Sequence, residues 1–193
     1  SYTATVGQTD GAPMIQADFL KKGGQLLWFM KGREVHSRSI SQDQAVKSAK
    51  AFLSQKGYPQ MEMVDYNEYA NMANVTLVHK KDNILIYPEK VAVRVALDNG
   101  EILGIQATDY VFGSRERNPG KPKLTEGQAK NKLNPEFKVQ DTALALIEND
   151  WNKEVLCYRF TGKINGTQYR LYINAQTGAE EMIEQFRPAE FTS

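Results

Sequence analysis

Twice along the chain, spacing of apolar residues at the helical period gives way to strict alternation. Ala45, Val46, Ala49, Phe52 and Leu53 recur at helical spacing and define one buried stripe. Ser41 stands just before them and Gln44 three positions on, which predicts a capping box at the start of the helix, and Gly57 is placed to end it. Beyond Gly57 the period falls to two, and strands are predicted near 62–69, 74–80, 91–97 and 101–108. The second copy opens on Thr125 and Gln128, an equivalent box. Its shorter helix turns Ala129 and Leu133 inward and stops at Asn134, because the residue before Pro135 is pushed out of the α region. Strands are predicted at 142–148, 155–161, 167–174 and 180–186, with Leu156, Tyr158 and Phe160 alternating with Cys157, Arg159 and Thr161. Asn165-Gly166 predicts a tight hairpin turn between two of them.

One helix followed by an antiparallel meander, repeated, gives an α+β fold in which each helix covers the apolar face of its own sheet. Residues 1–36 carry a third, incomplete copy. There Met14 to Leu20 and Gln25 to Met30 pair across Lys21-Lys22-Gly23-Gly24, Lys31-Gly32 turns into Arg33-Glu34-Val35, and no helix precedes them. The expected organisation is therefore the closing hairpin of a truncated first unit at 1–36, a second unit at 37–112, a polar Pro/Gly-rich linker at 113–122 and a third unit at 123–188. A hairpin without its helix leaves Ile15, Phe19, Leu20, Leu26, Leu27, Trp28, Phe29 and Met30 to be covered by something else. The neighbouring unit of the same chain or a second copy can do it. A homodimer through residues 14–35 is the expectation.

Composition narrows the chemistry. Lys and Arg number 24 against 23 Asp and Glu, a net charge of +1, without the basic excess expected of a nucleic-acid binder. No apolar run approaches the roughly 18–20 residues that span a bilayer. The chain starts at Ser1 with neither Met nor a signal-like segment, which suggests a trimmed piece. With Cys157 as the single cysteine and His36 and His79 as the two histidines, no zinc-ligand spacing exists. There is no GxSxG elbow and no GxGxxG loop. The stretch from Gly113 to Lys121 has the wrong spacing for a phosphate loop, and Pro122 stands where Ser or Thr would hold magnesium. No catalytic, cofactor-binding or metal-binding residue and no cofactor is expected, although Asp and Glu are plentiful enough to leave a carboxylate-pair hydrolase open.

The helix opened by Ser/Thr-x-x-Gln-Ala and the closing run Tyr169-Arg170-Leu171-Tyr172-Ile173-Asn174-Ala175-Gln176-Thr177-Gly178-Ala179-Glu180 resemble the PepSY module, with Asn174 for the usual Asp. In the second unit Leu97-Asp98-Asn99-Gly100-Glu101 is read as a shortened form of that turn. Gly24-Gln25-Leu26-Leu27-Trp28-Phe29-Met30, Arg33 and Val35, followed by two tandem copies, resemble the PepSY region of the YpeB family of spore germination proteins. That resemblance implies a non-enzymatic protein that binds and stabilises or regulates a cortex-lytic enzyme of the SleB type during sporulation and germination. It also implies an N-terminal membrane anchor outside this stretch and a location on the outer face of the inner spore membrane. A peptidase-inhibitory PepSY module is the alternative, and a carboxylate-dependent peptidoglycan hydrolase a second. Candidate partner or dimer contacts are Phe19, Trp28, Phe29, Met30 and Trp151. His79 reads as a solvated edge histidine, Glu180, Glu181 and Glu184 as a wet strand face, and Cys157 as a small buried residue.

Overall fold

The computed structural model describes residues 1–7 and 14–186, and the chain forms two compact units, Ser1–His79 with Glu89–Ser114 and Lys80–Pro88 with Arg115–Ser193. In the first unit β1 (Tyr2–Val6), β2 (Ile15–Phe19) and β3 (Leu26–Lys31) are followed by helix α1 (Gln42–Gln55). Then come β4 (Met61–Tyr69), β5 (Met72–Lys81), β6 (Ile84–Ala96), β7 (Ile102–Gln106) and the short helix α2 (Thr108–Gly113). The strands run β1-β2-β3-β7-β6, with the β4–β5 hairpin joined through β5 to β6.

The second unit contains α3 (Glu126–Lys130), β8 (Lys138–Glu148), β9 (Glu154–Ile164), β10 (Thr167–Asn174) and β11 (Glu180–Phe186). β8 to β11 form an antiparallel meander. The start of β6, Ile84–Ile86, belongs to this second unit and runs parallel to Leu144–Leu146 of β8. Pro88, which has no amide hydrogen for a ladder, lies between that stretch and the part of β6 that pairs with β7 from Ala92 onward.

The two units are built by one local device. Both predicted capping boxes form: the Ser41 and Thr125 side chains accept from the amides of Gln44 and Gln128, whose side chains accept from the cap amides in return. The two amides ahead of each cap donate to one carbonyl, Ser39 and Ile40 to Leu97, and Lys123 and Leu124 to Ala175. Each of those carbonyls opens a turn closed by a left-handed glycine, Gly100 (φ +79°) or Gly178 (φ +78°), whose amide donates back to Ala96 or Asn174. The turns are therefore equal in length, and the shortening read from the sequence does not occur.

On α1, Ala45, Ala49 and Leu53 are buried and Gly57 takes the positive φ of a helix stop. Ala129 of α3 meets Leu156, Phe160, Leu171 and Ile173 in the core of the second unit, with Leu133 at its margin.

Other expectations change. Arg33 to Val35 is irregular chain and Val35 is buried. Thr108–Gly113 is helical, between the strand predicted to end at 108 and the linker predicted to begin at 113. Residues 115–122 are tied to the second unit: Arg117 forks onto Glu154, and the Gln176 side chain donates to the carbonyl of Lys121.

Candidate interaction site

Pairing across the N-terminal strands sorts their residues onto two faces. Ala4, Ala17, Phe29 and Ile105 form one row, and Thr3, Asp18, Trp28 and Gln106 the next. Because neighbouring rows point to opposite sides, Phe29 and Trp28 serve different surfaces. The Phe29 side faces α1, whose Phe52 ring lies 5.8 Å from that of Phe29. Between β2, β3 and the last turn of α1 runs a cleft of about 770 Å³ whose lining includes Ile15, Ala17, Phe19, Phe29 and Phe52. Lys22 and Lys56, both exposed, also line it, and the Lys56 ammonium lies 5.6 Å from the centre of the Phe52 ring. An apolar floor with cationic side chains at hand suits a segment with apolar and acidic residues.

Phe19 and Phe29 thus come together, joined by Phe52, which the sequence placed only in a helix stripe. Trp28 is half-buried on the other face and Met30 is 43% exposed. Trp151 belongs to the second unit and is 74% exposed, in a turn whose Trp151 and Lys153 amides donate to the Asn149 side chain. β3 pairs with β7, and Leu26 and Leu27 are buried. Of the apolar residues of this hairpin, Leu26 and Leu27 are covered within the chain, whereas Phe19, Trp28 and Phe29 stay half-buried.

Among the described residues β1, β4 and β11 each pair with one strand and present an outer edge. β4 carries Glu62, Asp65 and Glu68, and β11 carries Glu180, Glu181 and Glu184, charges that discourage pairing with another chain. β1, Tyr2-Thr3-Ala4-Thr5-Val6, carries none and is exposed throughout. It pairs directly with β2, which contributes Ile15, Ala17 and Phe19 to the cleft.

The remaining reactive side chains have structural partners. His79 is not a solvated edge residue: its Nδ1 lies 2.5 Å from Oε2 of Glu89, with the two side chains 17% and 5% exposed. Burial pushes the Cys157 thiol up to about 12, so it stays protonated. Nor are the glutamates of β11 merely a wet face, since Glu181 accepts from Asn149 and Asn174, and Glu184 from the Tyr172 hydroxyl at 2.9 Å. Arg159, 8% exposed, donates to the Tyr87 hydroxyl and to Asp141. Arg117, with Arg115 beside it, holds the Glu154 carboxyl below its ordinary value. Among the described residues no three His, Cys, Asp or Glu side chains gather as metal ligands, and no helix is long and apolar enough to cross a membrane.

Residues 1–120 match the family described as YpeB sporulation, PepSY1 and PepSY2 domains, and residues 123–181 match the peptidase propeptide and YPEB domain family, PepSY. The chain is 35% identical to the sporulation protein YpeB of Halalkalibacterium halodurans over 98% of its length and 42% of that protein's. Against the sporulation protein YpeB of Bacillus subtilis it is 36% identical, with the same shares covered. It therefore spans about two-fifths of the length of these curated relatives. The solved C-terminal domain of Bacillus megaterium YpeB superimposes with a TM-score of 0.89 at 36% identity, covering 97% of this chain and 83% of that one.

Proposed function

Since the chain belongs to the YpeB sporulation family through its PepSY units, we propose that it acts without catalysis, as a scaffold that captures a cortex-lytic enzyme of the SleB type in the spore. The observation that carries this reading is the uncharged outer edge of β1 beside the cleft of Phe19, Phe29 and Phe52. An extended segment added to β1 gains main-chain hydrogen bonds, and its alternate side chains reach toward the cleft. Strand addition needs no preformed pocket in the partner, and it protects the captured segment from proteolysis. On this reading the protein lies on the outer face of the inner spore membrane, held there by an anchor that precedes this stretch.

The joint description of the PepSY family with peptidase propeptides favours a second reading, restraint of a peptidase by the same edge. Purified protein incubated with cortex peptidoglycan, with and without the lytic enzyme, tests the first. The expected result is no release of fragments by the protein alone and a changed rate or lifetime of the added enzyme. Fragment release by the protein alone would overturn the scaffold and favour a carboxylate-dependent hydrolase. An effect on an unrelated peptidase, with none on the lytic enzyme, would favour the second reading.

A further inference from the structure

Two Asn-Gly dipeptides occur in the chain, Asn99-Gly100 in the first unit and Asn165-Gly166 in the second, and the fold treats them oppositely. Asparagine followed by glycine is chemically labile, because no Cβ hinders attack by the glycine amide nitrogen on the asparagine side-chain carbonyl carbon. The new C–N bond closes a five-membered imide and the side-chain nitrogen leaves as ammonia. Water then opens the ring at one of its two carbonyls. One opening gives aspartate, and the other gives isoaspartate, whose backbone is one atom longer. Both place a carboxylate where a neutral amide stood. The attack needs a glycine amide free of other partners and an asparagine side chain able to swing onto it.

At Asn99 both are tied. The Gly100 amide donates to the carbonyl of Ala96 at 2.8 Å, and Oδ1 of Asn99 accepts from the Glu101 amide at 2.9 Å and from Arg33 at 3.3 Å. The turn is also crowded, since a Cβ on Gly100 would stand 3.0 Å from Oγ of Ser48. Asn165 stands at the exposed tip of the β9–β10 hairpin. Among the described residues neither its side chain nor the Gly166 amide has a hydrogen-bond partner, and nothing lies within 4 Å of a Cβ built on Gly166. A hairpin tip also opens at lower cost than a core strand, which lets the side chain and the amide reach the geometry of attack.

We propose that Asn165 is a site of spontaneous deamidation, an ageing reaction built into the second unit, from which the same dipeptide at Asn99 is protected by the turn that holds it. The consequence follows from the loop. Asn165 and Gly166 alone connect the paired residues Ile164 and Thr167, with φ of 49° and 77°, the doubly left-handed geometry of a two-residue hairpin turn. An isoaspartyl residue lengthens that loop and breaks its fit. Ile164 and Tyr169, which pack at the margin of the second unit's core beside the turn, then lose their hold, and the unit loosens. This inference goes beyond the capture of an enzyme and depends on no partner.

The purified chain is incubated at mildly alkaline pH, folded or in urea, and digested with trypsin at intervals, with the starting sample as the blank. Ile164–Arg170 reports Asn165 and Val95–Arg115 reports Asn99, each through the mass change from amide to acid. In the folded chain Asn165 should convert faster than Asn99 by about tenfold or more, the factor that one hydrogen bond on the attacking amide supplies. In urea, where both turns are lost, the two rates should agree within about threefold. The converted chain, separated by its added negative charge, should label at Cys157 at least about threefold faster than the original. Conversion of Asn99 as fast as Asn165 in the folded chain would overturn the inference. So would an Asn165 that stays intact while the unfolded chain converts, and equal Cys157 labelling would overturn the loosening.

Discussion

Gly162→Ala should break the second unit, and Gly166→Ala, four residues away, should merely weaken it. Gly162 lies on β9 opposite Val139, beside the bulge that separates Val139 from Asp141 on β8. A Cβ built on Gly162 would sit 2.2 Å from the carbonyl oxygen of Lys138 and 2.9 Å from the Phe137 ring. The nearest atom is backbone, so no rotamer change relieves the contact; β8 must move by close to an ångström or give up its register. Overpacking that flexible side chains can absorb costs about 1–3 kcal/mol, so a backbone clash is placed at about 3 kcal/mol or more. Gly166 has nothing within 4 Å of such a Cβ, but its φ is +77°. There the cost is conformational, about 1–2 kcal/mol.

Cys157 supplies the assay, since it is the chain's single cysteine, is fully buried on the same strand and does not ionise in the folded state at neutral pH. A thiol reagent reaches it only when the unit opens. The labelling rate should rise by roughly a hundredfold for Gly162→Ala and about tenfold for Gly166→Ala, at about 1.4 kcal/mol per tenfold. Equal rates for the two variants, or a Gly162→Ala rate within about threefold of the original protein, would refute the packing argument.

Ser41→Ala and Thr125→Ala should each cost about 1 kcal/mol in urea denaturation, because each hydroxyl accepts from an amide that otherwise has no partner. The Glu154 carboxyl titrates below its ordinary value, so its contribution is complete above the ordinary glutamate range and is lost as pH falls through the lower folded-state value. Arg117→Gln should raise the pH at which acid opens the second unit, read again through Cys157; an unchanged midpoint would contradict the role given to that pair. His79→Ala removes the imidazole from a glutamate only 5% exposed and should destabilise the first unit by about 1–3 kcal/mol. Circular dichroism melts check it, and an unchanged melt would show that the pair contributes nothing.

What could be read in the sequence was what neighbouring residues decide among themselves. Ser41 to Gln44, Thr125 to Gln128, and the Asn165-Gly166 turn are local arrangements, and each forms as expected. β1 was missed because Tyr2 to Val6 buries no face and so leaves no alternation to detect. The front of β6 was missed because Pro88, Glu89 and Lys90 interrupt its apolar run, although Asp82 and Asn83, with φ of 50° and 63°, make a tight hairpin turn before it. Its parallel pairing with β8 joins residues far apart in sequence, which no local pattern encodes. The same limit applied to the sites. Phe19 and Phe29 stood out as apolar strand residues, but Phe52 and Lys56 reach the cleft only because α1 packs there.

The central claim is capture at the β1 edge, and equilibrium binding of the purified chain to a purified cortex-lytic enzyme tests it most directly. The enzyme is titrated against the unsubstituted chain and against a Thr5→Glu, Val6→Glu variant, which places charge of the same sign as the expected acidic segment on an exposed edge without touching the buried core. The account predicts a saturable complex that weakens by about tenfold or more in the variant, since two charges must be displaced or desolvated for a strand to add. No complex, or a complex of equal affinity with both proteins, would contradict it.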